Sequence, residues 1–183
     1  MSNLAKQEIK IPQNISVNLS KNTLICKGPL GSKSILLKVA VVINKNSLLV
    51  TSNLLGNTSG KDDLLEAKSL QGTVASLIKQ AFIGLTSGFR ERLQLVGVGY
   101  RANLSSEGLE LKGGYSHTCL IKIPTDLKVF CLKPTLISIS GIDKQKVGNF
   151  TALVRSYKVP EPYKGKGILY QDEKIVLKEG KRS

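Results

Sequence analysis

The sequence predicts an α+β protein of two tandem, duplicated domains, each an antiparallel sheet packed against one helix, with a basic C-terminal extension. Three observations predict it. Short runs of alternating apolar and polar residues, separated by polar breaks, fill most of both halves. Each set of runs ends in a single helical stripe. The halves also repeat. Lys27-Gly28 and residues 35–38 match Lys112-Gly113 and residues 120–123 at an offset of 85, and Gly72, Val74, Leu77 and Ile78 match Gly148, Phe150, Leu153 and Val154 at an offset of 76. The boundaries that follow are 1–84, 85–157 and 158–183.

In the first half, Ile15, Val17 and Leu19 alternate with Ser16 and Asn18, the period of a half-buried strand. Lys21-Asn22 breaks the chain before residues 23–27; a longer apolar segment, 34–43, then leads through Asn44-Lys45-Asn46 to strand-like residues 48–51. A meander of hairpins is expected. Beyond a Gly- and Asn-containing loop at 56–60, the spacing of Leu70, Val74, Leu77, Ile78 and Ala81 predicts a helix. In the second half, segments 93–103, 109–112, 118–123, 127–132 and 136–140 read as strands, with turns at Ser105-Ser106-Glu107-Gly108 and Pro124-Thr125-Asp126. Val147, Phe150, Thr151 and Val154 mark the second helix, and Asp143 is placed to cap its first turn.

Hydrophobic residues at 41% and charged residues at 22% are ordinary for a folded chain, but 27 Lys and Arg against 13 Asp and Glu leave +14 and a pI near 9.8. An excess of that size favours a polyanionic partner. A membrane is excluded as that partner, because the longest apolar stretch, 35–43, is interrupted by Lys38 and is far short of the ~20 residues a spanning helix needs. Neither helix has the basic-and-apolar make-up of one lying on a bilayer. Residues 1–12 carry neither a secretory core nor an Arg-rich transit face, so synthesis where the protein works, or prior trimming, is expected. The basic excess is spread over residues 1–60, 88–157 and 158–183, while 61–87 is neutral, which suits several contacts on one folded RNA better than a single basic arm.

Few residues suggest chemistry. Cys26, Cys119 and Cys131 lack C-x-x-C spacing, so three thiols are expected, with no disulfide framework and no metal site. His117 and Cys119 share a strand face but have no orienting carboxylate nearby, so no catalytic residues are assigned. Val96-Gly97-Val98-Gly99-Tyr100 lacks the third glycine and the following helix of a dinucleotide loop; a bend or close strand packing is expected there, and no cofactor or small-molecule substrate. The informative stretch is Pro160-Glu161-Pro162-Tyr163-Lys164-Gly165-Lys166-Gly167. Its two prolines predict extended backbone while Gly165 and Gly167 let the chain turn without Cβ obstruction, a rigid loop on which Lys164 and Lys166 can approach a phosphate and Tyr163 can stack on a base or sugar.

That motif, with Leu93-Gln94-Leu95-Val96-Gly97-Val98-Gly99-Tyr100-Arg101, Gly114-Tyr115-Ser116-His117, Gly141-Ile142-Asp143-Lys144-Gln145, Tyr170, Glu173 and Lys178-Glu179-Gly180-Lys181, resembles the bacterial and organellar large-subunit ribosomal protein six family. The first half fits more loosely, through Ile11-Pro12 and Lys27-Gly28-Pro29-Leu30-Gly31. The resemblance implies duplicated α+β domains and a structural, non-enzymatic role. It implies binding of large-subunit ribosomal RNA near the sarcin–ricin loop, mainly through the second domain and its extension. Neighbouring ribosomal proteins near the stalk base, and translational GTPases close by, are the other implied partners. Tyr163, Lys164, Gly165, Lys166 and Gly167 carry over as RNA-binding residues, and Arg155, Lys158, Lys178, Lys181 and Arg182 as further phosphate contacts. Residues 1–6 lack an Arg often found near the start of bacterial members. Residues 129–131 and 141–145, with the wealth of Lys, Asn, Ile and Ser, look more like plant or algal mitochondrial members, so a mitochondrial ribosome is expected over a plastid or bacterial one. The alternative is a free-standing RNA-binding assembly or regulatory factor.

Overall fold

A computed structural model describes residues 8–54, 61–115 and 117–180. The chain divides into two compact units, the first ending at Gly88 and the second beginning at Phe89. The first unit contains β1 (Ile9–Lys10), β2 (Ser16–Ser20), β3 (Thr23–Gly28), β4 (Gly31–Leu36), β5 (Val39–Ile43), β6 (Ser47–Leu54) and α1 (Lys61–Thr86). These strands form two antiparallel sheets, β2-β3-β4 and β1-β6-β5. Leu24, Cys26, Val39, Leu48 and Val50 are buried with Val74, Ile78, Ala81 and Leu85 of α1. The helix end lies close against β3, since a Cβ on Gly28 would stand 2.8 Å from the Leu85 Cβ.

The second unit contains β7 (Phe89–Val96), β8 (Arg101–Ser105), β9 (Gly108–Lys112), β10 (Cys119–Ile121), β11 (Leu127–Lys133), β12 (Leu136–Gly141), α2 (Lys144–Ser156) and β13 (Gly167–Tyr170). Its sheets are β10-β9-β8 and β11-β12-β7-β13. Asp143 caps α2 by accepting a hydrogen bond from the Gln145 amide at 3.0 Å. Val147, Phe150, Thr151 and Val154, the four residues of the sequence stripe, are the helix's buried residues. They close one core with Leu93, Leu95, Ile137 and Ile139 of the larger sheet and Ala102, Leu109, Leu111 and Ile121 of the smaller.

The same strand order recurs: β1 to β6 then α1, and β7 to β12 then α2, each with a small sheet from its second to fourth strands. Equivalent helix positions also behave alike. Ile78 and Val154 are fully buried, whereas Leu77 and Leu153 are both substantially exposed.

The structure corrects several expectations. Each unit has two sheets, not one. The segment 34–43 is two strands in different sheets, parted where the Leu37 amide donates to the Asn22 carbonyl at 2.7 Å. The segment 93–103 is likewise cut, at Gly97 and Gly99, whose φ angles of 153° and 79° turn the chain before the Tyr100 ring. Single-strand periodicity cannot reveal such a change of sheet, because alternation continues across the break. Leu19 is 45% exposed and not on a buried face, and Leu77 lies at the margin of the α1 stripe. Residues 158–183 are not wholly an extension, since β13 completes the larger sheet with Ile168 buried. The loop expected at 56–60, residues 1–6, Ser116, Lys181 and Arg182 lie outside the described residues.

Candidate nucleic-acid interface

Helix α2 ends at Tyr157, and Lys158 donates its backbone N–H to the Arg155 carbonyl. The chain then makes the loop that the sequence singled out. It is closed by backbone hydrogen bonds: Glu161 N–H donates to the Lys166 carbonyl at 2.9 Å, and Gly165 N–H to the Glu161 carbonyl at 3.0 Å. Gly165 at φ 67° supplies the left-handed residue that such a turn requires. Gly167 is needed for another reason: a Cβ there would meet Pro160 Cα at 2.5 Å, backbone that cannot yield. The two prolines hold φ fixed without preventing the turn, because the glycines take up the reversal.

The loop presents Tyr163, 55% exposed, and an exposed Lys164, with Lys166 half-buried and Gly165 and Gly167 buried beneath. The chain returns over it. Lys178 N–H donates to the Pro162 carbonyl at 2.9 Å, and a Cβ on Gly165 would stand 3.4 Å from Leu177 Cδ2. Lys178 itself is exposed beside the loop.

Arg155 is placed differently from the expectation that it meets phosphate. Its Nη2 donates to Glu173 Oε1 at 2.6 Å, its guanidinium lies 5.5 Å from the Tyr170 ring centroid, and its Nε is buried without a hydrogen-bond partner. Glu173 Oε2 also accepts the Tyr170 N–H at 3.2 Å. The guanidinium therefore anchors the chain beyond β13. Lys158 is partly committed as well, with Nζ 5.1 Å from the Tyr115 ring centroid.

Tyr115 was not selected from its sequence alone as a site residue, yet the fold brings it to the loop's base. Its hydroxyl donates to the Tyr157 carbonyl at 2.8 Å, and its ring stacks on His117 at 6.0 Å between centroids. His117 thus keeps aromatic company instead of pairing with a nucleophile. The advance signal was its place in the Gly114-Tyr115-Ser116-His117 run of the family resemblance; Gly114, at φ 78°, turns the chain before Tyr115. The cysteines are free thiols, and burial pushes the Cys26 thiol up to about 11 despite the opposing charge of Lys33. A thiol so raised is a poor nucleophile near neutrality. Among the described residues no group of three His, Cys, Asp or Glu side chains is arranged to hold a metal ion.

The family model for ribosomal protein L6 matches residues 96–171. Similar relatives span nearly the whole chain. The large ribosomal subunit protein uL6 of Mycoplasmoides gallisepticum is 49% identical over 99% of this chain and 97% of its own. That of Bartonella bacilliformis is 38% identical, and that of Cupriavidus necator 42%, each over 100% of this chain and 99% of its own. These relatives are bacterial, so the lean towards a mitochondrial ribosome has no support. A richness in Lys, Asn, Ile and Ser does not identify a compartment.

Proposed function

The chain belongs to the ribosomal protein L6 family, structural and non-enzymatic components of the large ribosomal subunit, and from that membership we propose that its second unit holds large-subunit ribosomal RNA through the loop after α2. Lys164 and Lys166 meet phosphates, Tyr163 stacks on a base or sugar, and Gly165 and Gly167, buried beneath them, let the loop close so that these side chains are held at the RNA. Lys178 adds a cation from the returning chain, as do Lys181 and Arg182 beyond it. Lys158 supports the same patch through Tyr115, and Arg155 acts by positioning. The observation that carries this reading is the closed loop, which holds an exposed lysine and an exposed tyrosine on a frame of backbone hydrogen bonds.

The same reading places the site by the sarcin–ricin loop, near the stalk-base proteins and the docking position of translational GTPases. In this reading the segment 158–183 is the RNA-binding part, although β13 ties it to the second unit's sheet and the compact units part between Gly88 and Phe89, not at 84. The test is the salt dependence of binding to a large-subunit RNA transcript. Replacing both Lys164 and Lys166 by Ala should lower the log–log slope by about 0.7 to 0.9 per lost phosphate contact, with the fold intact. An unchanged slope overturns the reading. Retention on purified large subunits through a high-salt wash separates an integral subunit from a free-standing factor.

A further inference from the structure

We propose that the outer face of the four-stranded sheet in the second unit is a further RNA-binding surface: a trough floored by Ser138 and Ser140 and walled by Arg90, Arg92, Lys128 and Phe130. The inference rests on the proposed function for its partner, but on different residues.

Residues paired across antiparallel strands share a face. Ser140 pairs with Arg90 on β7 and Lys128 on β11, and Ser138 pairs with Arg92 and Phe130. The alternate residues of β12, Ile137 and Ile139, are fully buried against the core, so these two rows form the opposite face. Central strands favour β-branched and aromatic residues, yet this one offers two serines there. Ser138, between longer neighbours, is only 5% exposed, while Phe130 is 55% exposed and Arg90 and Lys128 are exposed. With strands ~4.8 Å apart, Arg90 and Lys128 stand about 10 Å apart across the floor. That leaves room for a sugar-phosphate strand along β12, with the Phe130 ring at its side for a base.

The cations are available. Among the described residues none of Arg90, Arg92 and Lys128 is in an ion pair, although Arg92 Nη1 donates to Gln171 Oε1 at 3.3 Å. The nearby carboxylates offset them only in part: Glu173 is engaged by Arg155 and Asp126 by Lys146, while Glu91, exposed although it pairs in register with Ile139, and Asp172 line the cleft beside Arg90 and Arg92, and Lys128 stands two strands away from both. Nor does the topology impose the charge: the matching hairpin of the first unit pairs Val42 with Leu49. A basic, shallow surface with one exposed ring matches RNA, since a protein partner would favour a more apolar centre.

The test uses the full chain and a large-subunit RNA transcript, with three variants: R90Q/R92Q/K128Q, S140E, and K164A/K166A. The trough triple variant should lower the salt slope by about 0.7 to 0.9 per contact, a loss of about five- to eightfold each at 0.1 M salt. S140E, which places a negative charge on the floor and removes no cation, should weaken binding in the same sense. Retained affinity and slope in the triple variant, with K164A/K166A still impaired, overturns the trough alone. If neither set changes the slope, both this inference and the proposed function fall. Should the triple variant misfold, S140E decides by itself, full affinity overturning the proposal.

Discussion

Replacing Glu173 by Ala tests whether the chain beyond β13 braces the lysine loop. The carboxylate accepts two hydrogen bonds, one from the Arg155 guanidinium at 2.6 Å and one from the Tyr170 amide at 3.2 Å. Both side chains of the ion pair are less than a third exposed, at 30% and 27%, so solvent screens the pair only in part. A hydrogen bond to a charged group contributes about 1.5 to 3 kcal/mol, and of the two this carboxylate accepts the longer, from the Tyr170 amide, contributes least. Allowing for partial exposure, the local loss is about 2 to 3 kcal/mol. Because Arg155 Nε is already buried without a partner, removing Glu173 leaves the guanidinium still more poorly satisfied. The loss should appear locally, in β13 and the chain that crosses the loop, because the core above α2 is untouched. Amide hydrogen exchange is the assay: protection at Tyr170, Glu173 and Lys178 should fall by roughly 30- to 160-fold, while Ile137 and Ile139 keep theirs. Glu173→Gln, which retains an acceptor, should show a smaller fall. Unchanged protection at Tyr170 and Lys178 in the Ala variant would refute the brace.

Three further outcomes are expected. Gly167→Ala forces a Cβ against the Pro160 backbone, so urea unfolding should show a cost of about 1 to 3 kcal/mol and RNA affinity should fall with it; a silent variant would mean the loop closes some other way. Asp143→Ala removes the cap of α2 and should cost about 1 kcal/mol in the same assay, with Asn substitution costing less. Burial raises the Cys26 thiol from 9.0 to about 11, so its neutral form is favoured in the fold. Its contribution is then complete below pH 9 and is lost as pH rises towards 11, by about 2 to 3 kcal/mol. Cys26→Ala should therefore show a flatter decline across that window than the parent chain, and parallel curves would show that the thiol does not govern it.

The sequence displays what neighbours along the chain determine. Helix α2 is the clearest example: its stripe of Val147, Phe150, Thr151 and Val154 and its cap at Asp143 all lie within one short segment, and all took their expected places. The glycines of the 160–167 motif were legible for the same reason. Non-local choices were hidden. Nothing within 34–43 says that β4 and β5 join different sheets, since that depends on partners as far apart as Ile9 and Leu48. Arg155 reads as a free cation until Glu173 is brought against it, and Tyr115 reads as a lone aromatic until the fold sets it under Lys158, 43 positions later. The serine floor of the trough is the most concealed. Ser138 and Ser140 are unremarkable in sequence and acquire meaning only through the residues paired on either side.

The position of the loop at a helix C-terminus decides what kind of binding it can support. Anion sites usually exploit the N-terminus, where unpaired N–H groups and the positive end of the dipole attract phosphate. The end of α2 offers the reverse, the negative end of the dipole with about half a charge, which disfavours an RNA backbone even though the Val154, Arg155 and Tyr157 carbonyls already accept hydrogen bonds. Arg155 in the last turn is paired with Glu173, so it offsets that field only partly. The remaining compensation must come from Lys158, Lys164 and Lys166, with the closed loop carrying the outer two away from the helix end. On the proposed function, affinity at this site would be built from side-chain charge on a fixed frame, with little contribution from backbone donors. Such a site has no reserve: neutralising its lysines leaves a surface that disfavours phosphate, so the loss should exceed simple removal of contacts and grow as salt is lowered.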